Sequence, residues 1–149
     1  LSESAFYEAI GRFEGTTVAT HANPRANVPG ARQLSDEMIR RLGERDGVMG
    51  IVPANGFLRP DWQTNQATLG DVIAAIDHVC QVIGDAEHVG LGSDFDGGFG
   101  ADHTPPALDT VADLQRLRPA LGEAGYEEDH IDAIMAGNWL RVLRAALPS

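Results

Sequence analysis

Gly47-Val48-Met49-Gly50-Ile51-Val52 decides the fold. A strand with one wet face alternates apolar and polar side chains, and this stretch carries no polar side chain at all. A near-continuous apolar run belongs to a strand covered on both faces, as in a parallel sheet between helices or a barrel ringed by them. Pro53 closes the run.

Downstream, after a polar loop, Thr68 caps the clearest helix, in which Val72, Ile73, Ile76, Val79, Cys80 and Ile83 recur at helical spacing until Gly84 ends it. His88 to Ser93 reads as another strand, leading into Asp94-Phe95-Asp96-Gly97-Gly98. A loop with Pro105 and Pro106 follows, then a helix from about Asp113 to Glu123, which tolerates Pro119 only near its first turn, and a last helix from Glu127 to about Leu147. Upstream, Ser35 caps a helix from Asp36 to Glu44, with Asp36 and Glu37 in the first turn and Met38, Ile39 and Leu42 as its inner stripe. Before it, Thr16 to Thr20 is short and β-branched, which suits a buried strand delivering His21 at its end. The opening helix spans about Ser2 to Phe13, with Ser2 placed to cap it.

The order α-β-α-β-α-β-α-α predicts parallel strands joined by right-handed crossovers. A doubly wound open sheet and part of a (β/α)8 barrel both fit. A whole barrel needs about 250 residues, so the three strands of this 149-residue chain would supply less than half of one.

With 43% hydrophobic residues, the chain can bury a real core. The net charge of −11 argues against nucleic-acid binding, which depends on basic side chains at the phosphates. Cys80 is the single cysteine, so an internal disulfide and a cysteine zinc cage are excluded. No apolar run approaches the roughly 20 residues of a membrane span, and no signal peptide opens the chain. A cytoplasmic location is the default expectation for such a chain. The start at Leu1-Ser2-Glu3, without methionine, suggests a truncation.

In parallel α/β architectures the working groups gather beyond the C-terminal ends of the strands. His21, the stretch Pro53 to Asn55, and Asp94 hold those positions. A histidine and a carboxylate there can bind a metal and manage a proton, the two needs of metal-assisted hydrolysis. Each also has an ordinary reading: a hydrogen-bonded histidine, or an aspartate forming a turn with Gly97-Gly98. Two other patterns fail on spacing. Gly90-Leu91-Gly92 begins like a dinucleotide fingerprint but meets Phe95 where the third glycine is needed. Asp94-Phe95-Asp96 begins like a calcium loop but has Pro105 in the twelfth place, where a glutamate is required.

Three segments together resemble the zinc-dependent membrane (renal) dipeptidase family and its bacterial relatives. They are Thr20-His21-Ala22-Asn23 with Arg32-Gln33-Leu34-Ser35-Asp36, then Gly90-Leu91-Gly92-Ser93-Asp94-Phe95-Asp96-Gly97, and Gly137-Asn138-Trp139-Leu140-Arg141-Val142. The likeness runs from Leu1 to Leu147. It implies a single metal-dependent hydrolase barrel domain, of which residues 1–149 are the C-terminal portion, with about three βα units plus the closing helices. It further implies two zinc ions and cleavage of the peptide bond of dipeptides. In that resemblance His21 is a zinc ligand, and Arg32 grips the terminal carboxylate of the substrate, a task that suits a guanidinium fork. Asp94 is the catalytic carboxylate, taking the proton of the attacking water and passing it to the leaving amine. Asp96 is a loop group, and His78, His88, His103 and His130 are assigned to no metal.

The family's other ligands, a His-x-Asp pair, a bridging Glu and a further His, would be expected before Leu1, so an isolated fragment would be inactive. Ala54 stands where many relatives carry an aromatic residue, which leaves the substrate preference open. Three strands cut from a barrel would leave unpaired edges and bare helix faces. The first five strands, on a second chain or a missing segment, are the expected partner, with association into a homo-oligomer a further way to cover these faces. The rival readings are another barrel metallohydrolase of amidohydrolase type, and a non-catalytic homologue that has lost the metals.

Overall fold

Met49–Ile51 (β1) and Val89–Leu91 (β2) form a parallel pair, with Met49 opposite Val89, Gly50 opposite Gly90 and Ile51 opposite Leu91, in a computed structural model that describes residues 2–147. The predicted strands at Gly47–Val52 and His88–Ser93 are therefore present, each shortened at both ends. The segment Thr16–Thr20 lies on the other side of β1, as its composition predicts, but its regular pairing shrinks to a single parallel bridge between Ala19 and Met49. Three bonds hold it: Ala19 N–H to Val48 O (3.0 Å), Gly50 N–H to Ala19 O (2.8 Å) and Ala22 N–H to Gly50 O (3.0 Å). The order in space is thus this edge segment, β1, β2, all parallel, which makes the fold mixed α/β.

The helices form where the caps predict. Ser2 caps α1 (Glu3–Arg12), Ser35 caps α2 (Asp36–Gly43), and each hydroxyl accepts an N–H of the first turn. α3 (Asn55–Leu58) is a single turn, missed in the sequence because four residues carry no periodicity and no side chain caps it. α4 (Leu69–Ile83) opens with a reciprocal box between Thr68 and Asp71 and ends on Gly84 at φ 103°, a conformation that favours glycine.

α2 and α4 pack on each other, and α4 also packs on the strands. Ile39, Leu42, Met49, Ile51, Val72, Ile76, Val79 and Val89 are fully buried between them. Each such side chain contributes about 1.5–3 kcal/mol of burial, so this layer is what fixes the strand ends in place.

The C-terminal third differs most from expectation. Val111–Arg116 is a 3-10 turn and only Leu117–Glu123 (α5) is α-helical, with Pro119 in its first turn, where its missing N–H costs nothing. The predicted final helix is α6 (Glu128–Asp132) and α7 (Asn138–Ala146), joined by a π-helical turn over Ala133–Gly137. The wide turn swings Asn138 and Trp139 onto β2. The Asn138 amide donates to Ala86 O (2.8 Å) and Val89 O (2.7 Å), and the Trp139 indole donates to Leu91 O (3.0 Å). Gly90 makes this possible, because a Cβ there would stand 2.5 Å from Trp139 Nε1. Among the described residues no helix is long and apolar enough to cross a membrane.

Candidate active site

His21 follows the edge segment directly, and Asp94 stands three residues beyond β2. Their side chains meet: His21 Nε2 lies 3.9 Å from Asp94 Oδ1. The Thr20 hydroxyl holds the other ring nitrogen, with Nδ1 2.8 Å from Oγ1, so Nε2 is the nitrogen presented to the site. Arg32, from the loop before α2, completes the group with a guanidinium nitrogen 3.9 Å from Asp94 Oδ2. His21 and Arg32 therefore converge on the carboxylate of Asp94, which brings together the three residues singled out in the sequence. Asp96 lies in the same loop and is exposed.

Local geometry explains why the carboxylate sits there. Asp94 adopts φ 55°, in the left-handed region, and its carbonyl accepts the Gly97 N–H at 2.8 Å in a tight turn. A Cβ on Gly97 would stand 2.4 Å from Asp94 Oδ1, so glycine is what leaves the carboxylate its place. Holding a non-glycine residue in this region costs of order 1 kcal/mol, and such strain gathers at functional sites.

The Arg32 loop is pinned from beneath by Asn23, which is fully buried. Its amide donates to Val52 O (3.0 Å) and accepts the Val52 N–H (2.9 Å), extending β1 by one residue with a side chain in place of a strand. Gln33 Oε1 accepts the Asn23 N–H at 2.8 Å, and Leu34 N–H donates to Asn23 O at 3.1 Å. Above the loop, the Arg32 guanidinium lies 4.8 Å from the centre of the Phe57 ring, a cation–π contact that sets its plane. Nothing in the sequence marks Asn23, Gln33 or Phe57 for these tasks, because a loop amide reads as a turn former until its tertiary partners are known.

The pairing itself is weak. His21 and Arg32 are about half exposed, and contacts of 3.9 Å in a screened setting contribute about 0–1 kcal/mol. The fold, through Thr20, Asn23 and Gly97, brings these groups together; their mutual attraction does not. Two cavities flank them. One, of 680 Å³, is lined by His21, Arg32 and the apolar side of α1; the other, of 580 Å³, by Arg32, Asp94, Phe57, Trp62, Phe99 and His103.

The donors suit a metal centre in part. An imidazole nitrogen facing a carboxylate is a zinc-type donor pair, whereas a closed site takes four ligands. Among the described residues no three His, Cys, Asp or Glu side chains form such a cage. The other histidines have separate partners or places: His78 Nε2 is 2.8 Å from Asp36 Oδ1, tying α4 to α2, and His88 Nδ1 is 2.8 Å from Gly47 O. Away from the site, burial pushes the Cys80 thiol up, with Asp77 and Asp85 adding to the effect. Burial likewise raises the Tyr126 hydroxyl beside it, whose oxygen lies 3.2 Å from Asp77 Oδ1.

Comparison with known proteins gives this arrangement its relatives. The family described as membrane dipeptidase (peptidase family M19) matches residues 1–147. A Klebsiella pneumoniae protein known only by its place in the pqqA 5' region is 37% identical over 97% of this chain and 52% of its own length. The dipeptidase aclJ of Aspergillus oryzae is 35% identical, over 83% of this chain and 28% of its own. A solved metallo peptidase from Rhodobacter sphaeroides, liganded with a phosphinate mimic of the dipeptide L-Ala-D-Ala, superposes with a TM-score of 0.88 at 30% identity, over 99% of this chain and 41% of that one. The chain thus spans about half the length, or less, of the relatives it matches. On the strength of that match over residues 1–147, the chain belongs to the membrane dipeptidase family, a family of hydrolytic metallopeptidases.

Proposed function

We propose that the protein is a dinuclear zinc dipeptidase and that this chain forms the C-terminal part of its (β/α)8 barrel. The remaining strands come from the N-terminal part of the same protein, as a continuous segment or a second chain. The observation that carries the reading is the convergence of His21 and Arg32 on Asp94, each at 3.9 Å, beyond the C-terminal ends of parallel strands. A doubly charged, half-exposed cluster of this kind adds little stability, which favours a chemical role over a structural one.

In this reading each side chain has one task. His21 is a metal ligand through Nε2, oriented by the Thr20 hydroxyl at its other nitrogen. Metal held there would supply Lewis-acid polarisation of the scissile carbonyl and a lowered pKa for the attacking water. Asp94 takes the proton of that water and delivers it to the departing amine. Arg32 binds the substrate's terminal carboxylate through its guanidinium, with Phe57 as the plate beneath it. Dipeptides fit this division, because a single residue separates the carboxylate from the bond to be cut.

The test uses the full-length protein and measures zinc content and dipeptide hydrolysis together. His21→Ala should lose both, whereas Asp94→Asn should keep the metal and lose roughly 10²–10⁴-fold in kcat. Unchanged hydrolysis in both variants overturns the proposal. Arg32→Met separates it from an amidohydrolase acting on cyclic amides or phosphoesters, since its loss should raise KM for substrates with a free carboxylate.

A further inference from the structure

The cavity beside Asp94 has a wall that the chemistry above does not use. Trp62 comes from the loop after α3, and Phe99 and His103 come from the loop after β2. The Trp62 and His103 rings are 5.2 Å apart at 44°, and the Phe99 and His103 rings 6.4 Å apart at 54°. These loops do not merely touch. Asn55, fully buried, donates from its amide to Asp102 O (3.3 Å) and Thr104 O (3.1 Å), while its Oδ1 accepts the Ala67 N–H (3.2 Å). One amide therefore locks both loops, and the aromatic wall is formed before anything binds. Gly56 lets the indole lie close, since a Cβ there would already stand 3.1 Å from Trp62 Nε1.

This argument rests on the dipeptidase reading. With the substrate carboxylate on Arg32 and the scissile amide at Asp94, the carbon between them carries the C-terminal side chain. Both groups line the 580 Å³ cavity, which falls in the size range of small-molecule sites and far exceeds what a methyl group fills. Its far wall is carbon-rich, and Asp94 is the one carboxylate among the lining residues, with Asp102 close behind at 3.2 Å from His103 Nδ1. A further acid would meet like charge there, whereas an apolar ring would meet aromatic faces. Ala54, at the cavity edge, leaves the space open where a larger residue would close it.

We propose that the cavity walled by Trp62, Phe99 and His103 receives the side chain of the substrate's C-terminal residue and selects large apolar or aromatic side chains over small or acidic ones.

The experiment compares kcat/KM of the full-length enzyme for Ala-Phe, Ala-Leu, Ala-Ala and Ala-Asp. Ala-Phe and Ala-Leu should exceed Ala-Ala by about tenfold or more, with Ala-Asp lowest. Trp62→Ala and Phe99→Ala should pull the Ala-Phe to Ala-Ala ratio toward one, chiefly by lowering the value for Ala-Phe. Ala54→Leu, which narrows the cavity without removing an aromatic ring, should also lower that ratio. A flat or reversed series in the unaltered enzyme overturns the inference even if an alanine variant fails to fold, and leaves dipeptide hydrolysis standing. Failure to cleave any of the four dipeptides instead overturns the functional reading from which the inference starts.

Discussion

Asn23 and Val52 exchange two hydrogen bonds, amide to carbonyl at 3.0 Å and backbone N–H to amide oxygen at 2.9 Å, across 29 residues of chain. Both groups are buried, so neither Val52 atom has water as a substitute. Asn23→Ala should therefore cost about 2–4 kcal/mol, two unpaired buried groups at about 1–3 each with some relaxation. Urea denaturation of the variant checks this, and a loss under about 0.5 kcal/mol would show that the clasp is dispensable.

Gly97→Ala should damage catalysis more than folding. Its Cβ would stand 2.4 Å from Asp94 Oδ1, so the carboxylate must swing away while the exposed loop absorbs the change. In the full-length enzyme a displacement of about 1 Å corresponds to roughly 10²-fold in kcat. A variant with normal kcat would mean that Asp94 is not held by this turn.

Gly90→Ala should lower the melting temperature without touching the catalytic groups. The new methyl would lie 2.5 Å from Trp139 Nε1 and must push the indole off the Leu91 carbonyl. Overpacking of this kind costs about 1–3 kcal/mol. Trp139→Phe in the same background should recover part of that loss, which a thermal melt of the double variant would measure.

Cys80 should react slowly in the folded state. Burial pushes its thiol up and outweighs the opposing hydrogen bond from Tyr126, and the neighbouring carboxylates of Asp77 and Asp85 add to the rise. Little thiolate then exists at neutral pH, and thiolate is the reactive form. A disulfide reagent at pH 7 should label the half-buried thiol far more slowly in buffer than in denaturant; equal rates in the two contradict the burial argument.

Acid should act on the caps before the core. The Arg25 guanidinium, 2.8 Å from Glu3 Oε2, holds that carboxyl below its ordinary value, and the Thr110 hydroxyl and N–H do the same for Asp113. A lowered folded-state value means stability that is fully present above the ordinary carboxylate range and lost as pH falls through the folded value. The contribution of these two groups should thus be complete at pH 7, begin to fall near about pH 5 and be lost as pH drops through their folded values. Arg25→Gln should flatten part of that decline, as urea midpoints taken between pH 6 and 3 would register.

What the sequence disclosed follows from the reach of each signal. Ser35, Thr68 and Gly84 mark helix ends through contacts within a few residues, so α2 and α4 could be read almost to their limits. The central strand could be read from its apolar run alone. Thr16–Thr20 has the composition of a strand, yet only its Ala19 pairs with β1 in the regular pattern, and composition carries no register. The π-helical turn at Ala133–Gly137 adds one residue to a helical repeat, a phase shift that periodicity over so short a span does not reveal. His21, Arg32 and Asp94 could be chosen by residue type, position after a strand and family likeness. Their meeting could not, because it depends on Asn23 and Gly97 acting at a distance or through space. Asn55 is the sharpest case: it looks like a turn residue and is the fully buried tie between two loops.

The carbonyl of Thr20 rests against bare backbone, for a Cβ on Gly50 would stand 2.3 Å from it and one on Gly92 2.1 Å. Thr20 precedes His21, and Gly92 lies two positions before Asp94. The height of the imidazole relative to the carboxylate is therefore gauged by main chain on main chain, with no side chain as a spacer. An alanine at either glycine would act like a shim slipped under one instrument on a bench: both tools intact, their alignment gone, and the fault recorded far from where it was introduced.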